Sequence, residues 1–146
     1  MPALHDHQDQ EPAVTIDRYP AVSFMGRLLM CSLFLVSGIG KVAAPAATKA
    51  YIASAGLPLP DIAYLAAIAV ELGLGILLLL GYRTRLVAGL MALFTLATAF
   101  AFHAHFDDAN QQIHFLKNLS IAGGLIQFAV WGAGAWSLDG LRARRG

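Results

Sequence analysis

Apolar residues along the chain do not alternate and do not fall into narrow stripes; they gather into four long runs separated by short polar stretches. The first is AVSFMGRLLMCSLFLVSGIGKV (21–42) and the second IAYLAAIAVELGLGILLLLG (62–81). The third is LVAGLMALFTLATAFAFHAHF (86–106), and the fourth FLKNLSIAGGLIQFAVWGAGAW (115–136). Each approaches the roughly 20 residues that a helix needs to cross a bilayer core, and none contains proline. The pattern predicts an all-α integral membrane protein, a four-helix bundle with short loops.

The segments between the runs refine that picture. Residues 1–20 are polar and acidic and predict a flexible tail. A leader of this length and sign does not fit a signal peptide, which needs a short basic start, so the first run is read as a spanning helix. PAATKAYIASAGLPLP (45–60) predicts a short interfacial helix stopped at Gly56, with Tyr51 near the headgroups. Asp61, after Pro60, is the expected N-cap of the second span. Only YRTR (82–85) separates spans two and three, so they form an antiparallel hairpin.

Composition fits the bilayer: 58% of the 146 residues are hydrophobic and 13% charged, against roughly 25% charged in a soluble domain. A net charge of +1, with no basic cluster interleaved with aromatics, gives no footprint for nucleic acid. The single cysteine, Cys31, excludes both an intramolecular disulfide and a CxxC redox pair. Arg18, Arg83, Arg85, Arg142, Arg144 and Arg145 lie on the side shared by the termini, opposite Lys41, Lys49 and Lys117. The positive-inside rule therefore predicts cytoplasmic termini, with residues 141–146 a basic cytoplasmic tail.

Ionisable groups inside spans cost at least about 2.5 kcal/mol each and face partners or cavities. Arg27 is expected roughly 10 Å above the inner boundary and Glu71 roughly 15 Å, at 1.5 Å per residue. A long guanidinium spans that difference, so the sequence predicts a buried Arg27–Glu71 ion pair, structural or functional. Arg27, Cys31, Phe34, Gly38 and Lys41 fall on one face of helix one.

The third and fourth runs meet in FAFHAHFDDANQQIHFLKN (100–118), rich in polar groups. His103 and Asp107 have an i, i+4 spacing, but no HxxxH or ExxH element is present, and no metal is assigned. His105, Asp107 and Asp108 are expected in a wet loop. His103, Lys117 and Asn118 have apolar neighbours that draw them into the bundle, level with Lys41. Apolar walls with a few such donors suit a quinone headgroup.

Gly26-Arg27, Phe34, Ser37-Gly38 and Lys41 resemble the first helix of the DoxX family of small multi-pass membrane proteins. Gly56-Leu57-Pro58, Glu71 with Gly75, LLLLG with Thr84-Arg85, His103, Lys117-Asn118, Gly123 and Ser137-Leu138-Asp139 extend the likeness over residues 21–140. The resemblance implies a four-helix inner-membrane bundle. It also implies association with a quinone-linked redox system, since the family takes its name from a subunit associated with a terminal quinol oxidase. The expected role is thus an accessory or quinone-interacting subunit docking a soluble or membrane oxidoreductase, alone or as a homo-oligomer. The competing expectation is a non-catalytic scaffold whose polar core only fixes helix packing. The vitamin K epoxide reductase bundle, an architectural comparison, works through cysteine pairs that this chain lacks.

Overall fold

The computed structural model describes residues 19–145; the acidic tail read as flexible lies outside the described residues up to residue 18. Helix α1 spans Pro20–Ala43 and α2 spans Pro45–Ser54. Helix α3 spans Pro60–Leu80, α4 Thr84–His103, α5 Ala109–Trp131 and α6 Leu138–Ala143. The described residues contain no strand. α1, α3, α4 and α5 are the helices long and apolar enough to cross a membrane.

Proline sets several boundaries, because its fixed φ and missing N–H suit the first helical position. Pro20, Pro45 and Pro60 each occupy it. At α3 this displaces the expected cap: Leu59, in the left-handed region at φ 56°, precedes the helix, and Asp61 lies inside the first turn. Its carboxylate instead pairs with Lys49 of α2 at 2.6 Å. Gly56 ends α2 with φ 76°, as its sequence position predicts. Helix α4 stops at His103 rather than 106, so His103 and Asp107 share no helical face. Helix α5 starts six residues earlier than hydropathy indicates, because the Asp108 side chain accepts from the N–H groups of Asn110 and Gln111 and caps a polar first turn. It ends at Trp131, and residues 132–137 form a non-helical return.

Within α3, residues Ala69–Leu74 are wound as a π-helix, with Glu71 in its first turn. Such insertions are rare and often lie at functional positions. Glycines fix the register of α3 on α1. A Cβ on Gly38 would meet Leu72 at 2.6 Å and Glu71 at 3.1 Å, and one on Gly75 would meet Leu35 at 3.2 Å. Gly81, opposite Arg27, ends α3 in the left-handed region. α1 and α5 approach at Gly26 against Phe128 and at Gly124 against Met30, both in the half nearer the termini. Gly40, Gly73 and Gly123 have nothing within 4 Å and play no such part. The buried core runs along one face of α1, through Arg27, Cys31, Phe34 and Gly38, against Leu78, Met91 and Leu125. The exposed positions on the spans are mostly apolar, among them Leu29, Val36, Leu65 and Leu93.

Candidate functional site

The register overturns the expected Arg27–Glu71 pair. The expected pairing takes the first and second spans, α1 and α3, to end level on the side of the termini. Helix α1 instead overshoots α3 by the seven residues from Pro20 to Arg27, about 10 Å. Arg27 therefore sits beside Gly81, and the ten positions between Glu71 and Gly81 separate the two charges by about 15 Å along the axis.

Each charge has a different partner. Arg27 is 0% exposed, and its guanidinium binds main-chain carbonyls. Nη1 donates to Leu79 O at 2.6 Å and Leu78 O at 3.4 Å, while Nη2 donates to Trp136 O. It thereby satisfies the open Leu79 carbonyl at the C-terminal end of α3, where a cation is also favoured by the helix dipole, and ties the 132–137 return to the bundle. Ser23 Oγ adds a bond to Ala133 O at 2.8 Å. Glu71 pairs with Lys41: Nζ to Oε2 is 2.9 Å, and Nζ also donates to Ser37 Oγ at 2.7 Å. Helical side chains lean toward their own N-terminus, so Lys41 reaches back one turn over Ser37 to the level of Glu71.

In the half of the bundle away from the termini, α1, α3, α4 and α5 enclose a cavity of about 650 Å³, and α2 lies over it. Lys41, Glu71, His103, Lys117 and Asn118 all line it; Arg27 does not. The structure thus brings five of the six expected polar residues to one space and assigns the sixth to the opposite end. The walls are mainly apolar, with Phe34, Ile52, Phe94 and Ile121 among them. Ser37, Tyr51, Thr95, Thr98 and His114 also line it, and sequence reasoning gave none of these a binding role.

Several contacts shape the rim. Tyr51 of α2 stacks on Phe102 of α4 with centroids 5.4 Å apart, and Ile52 is buried. His103 and His114 stack at 5.1 Å, which brings the second histidine into the site. His103 Nδ1 is 2.8 Å from Gln111 Oε1. An amide oxygen only accepts, so in this arrangement Nδ1 carries the proton and Nε2 is left open. Among the described residues, the Lys117 ammonium and the Asn118 amide have no hydrogen-bond partner. His114, Lys117 and Asn118 lie in the second and third turns of α5, deeper than expected because that helix starts at Ala109. His105, Asp107 and Asp108 are exposed loop residues, as their sequence predicts.

The end of the bundle that bears the termini is held by the SLD segment. Ser137 caps α6 by accepting from Gly140 N at 2.9 Å. The Asp139 carboxylate accepts from the backbone N–H of Arg83 and of Thr84, each at 2.8 Å, and so caps α4. Burial opposes its charge, yet these bonds, helped by nearby Arg142, hold the carboxyl below the usual carboxylate range.

A bundle of four apolar helices, with carbonyl-bound Arg27 at one end and a mainly apolar cavity bearing a few polar groups at the other, defines a multi-pass membrane protein. The chain belongs to the DoxX family, whose model matches residues 22–104, more than half of its length. It is 40% identical to the inner membrane protein YqjF of Escherichia coli strain K12 over 120 residues, 80% of this chain and 88% of that protein. To the inner membrane protein YphA of the same organism it is 35% identical over 125 residues, 82% of this chain and 89% of that protein. No solved structure matches the chain.

Proposed function

We propose that this DoxX-family protein is an inner-membrane accessory of a redox system whose cavity receives a quinone headgroup. The observation that carries the reading is the set of unpartnered polar groups on an apolar-walled space. His103 Nε2, Lys117 Nζ and the Asn118 amide have no partner among the described residues, while Lys41 and Glu71 form a fixed charge pair deeper in. A volume of about 650 Å³ falls in the range of small-molecule sites. When bound, a quinone supplies a reversible two-electron, two-proton couple. Lys117 and Asn118 donate to its carbonyl oxygen, and His103 Nε2 accepts from the hydroxyl of the reduced form. Lys41 and Glu71 anchor the cavity floor, and a redox partner supplies or removes electrons, since the lone cysteine cannot. The arginines of residues 83–85 and 142–145 favour cytoplasmic termini, which puts the cavity in the outer half of the membrane. Saturable binding of a short-chain quinone to the purified protein, weakened by His103→Ala, tests the reading; equal binding by wild type and variant sinks it.

The scaffold reading is favoured by a different observation at the other end. Arg27 binds main-chain carbonyls through both Nη groups, leaves Nε without a partner and lines neither the cavity nor the groove at the other end, so its role there is to hold α1, α3 and the 132–137 return together.

A further inference from the structure

A second concave site lies at the end of the bundle that bears the termini. It is a groove of about 490 Å³ between the first turn of α4 and the 132–134 return, lined by Arg83, Thr84, Arg85, Trp131, Gly134 and Asp139 among others. We propose that this groove binds the phosphodiester headgroup of an anionic phospholipid.

Three features point to that ligand. The Arg83 and Arg85 side chains are exposed and, among the described residues, make no hydrogen bond or ion pair. The acid that lines the groove, Asp139, has its two oxygens engaged by the N–H groups of Arg83 and Thr84, so it neither pairs with an arginine nor closes the site. Finally, Trp131 and Trp136 are exposed at this end of the bundle, and exposed indoles mark the headgroup level of a membrane. At that level phosphodiesters are the abundant anions. Arg142 and Arg144 are already committed, one over the Tyr82 ring at 4.5 Å and the other to Ala135 O at 3.2 Å. They raise the local potential without filling the groove.

The full chain, purified and placed in bilayer discs of phosphatidylcholine, is titrated with phosphatidylglycerol while its thermal midpoint and the lipid retained in native mass spectrometry are followed. Saturable retention of phosphatidylglycerol over phosphatidylcholine is expected, weakened roughly fivefold for each arginine removed in Arg85→Gln and in Arg83→Gln/Arg85→Gln. Lys49→Gln, at the far end of the bundle, retains wild-type binding. Equal retention of the two lipids overturns the proposal, as does an Arg85→Gln protein that folds and binds unchanged. Inorganic phosphate is added as a separate arm. Stabilisation by it that matches the lipid's assigns the groove to a soluble anion and overturns the lipid assignment. Because Arg83 has a left-handed backbone, Arg85→Gln alone decides the matter if the double variant fails to fold.

Discussion

The Lys41 ammonium lies 2.9 Å from the Glu71 carboxylate, at the level where α3 is wound as a π segment. The two side chains are 26% and 8% exposed, so the pair is neither a solvated surface bridge nor wholly sealed. A carboxylate this enclosed depends on its cation, and the cation comes from a helix that reaches it by leaning back one turn.

Lys41→Met should therefore leave Glu71 enclosed without its partner and cost roughly 2 kcal/mol, less than a fully buried pair because water reaches the ammonium. The combined variant Lys41→Met/Glu71→Gln should recover most of that loss. Thermal unfolding of wild type, both single variants and the double in one detergent measures the coupling. Additive losses would mean that the two groups do not interact.

Arg27→Lys keeps the charge and loses the fork. An ammonium at this position cannot serve Leu79 O and Trp136 O together with the same geometry. A loss of about 2 kcal/mol in stability is expected, with quinone binding per folded molecule unchanged, because Arg27 does not line the cavity.

Gly81 carries a sharper constraint. Its φ of 67° and its position beside Arg27 mean that a Cβ would collide with Ser137 and lie 2.6 Å from Nη1. Gly81→Ala should cost more than about 3 kcal/mol or prevent folding, since strain and overpacking combine. Gly123→Ala, where nothing lies within 4 Å, should be neutral or mildly stabilising. Expression level and melting temperature of the two proteins provide the comparison.

Asp139 predicts a pH dependence. Its carboxyl is held below the usual range, so its contribution is present at pH values above the unfolded pKa of about 3.9 and is lost as pH falls through the lower folded value. Wild-type stability should hold down to about pH 4 and decline below it. Asp139→Ala should lose about 1 kcal/mol of capping stability at neutral pH and a corresponding part of the acid decline. A melting curve at each pH shows whether the two proteins converge in acid.

The four spans were legible because each is a long apolar run, and the buried stripe of α1 because its period is helical. The grouping of Lys41, His103, Lys117 and Asn118 was legible too, since all four fall near the same ends of their helices. Glu71's partner was not. Choosing between Arg27 and Lys41 needs the axial offset of α1 against α3, which close approach at Gly38, Gly75 and Gly81 sets and hydropathy does not encode. The start of α5 was obscured because NQQ reads as loop until Asp108 is seen as its cap. The π segment and the His103–His114 stack left no sequence signal that periodicity detects. Ser137-Leu138-Asp139 was visible as a motif, but its role depends on a fold-back that joins residues 55 positions apart.

The proposed ligand site is the cavity between α1, α3, α4 and α5, not the polar groups of the bundle in general. Binding of a short-chain quinone to purified protein should be compared among wild type, His103→Ala, Asn118→Ala and Gly123→Ala, all at equal folded fraction. Saturable binding is expected, weakened about tenfold by loss of either cavity group, on the order of one hydrogen bond, and unchanged in Gly123→Ala. Saturable binding of equal strength in all four, or none in the wild type, would contradict that assignment.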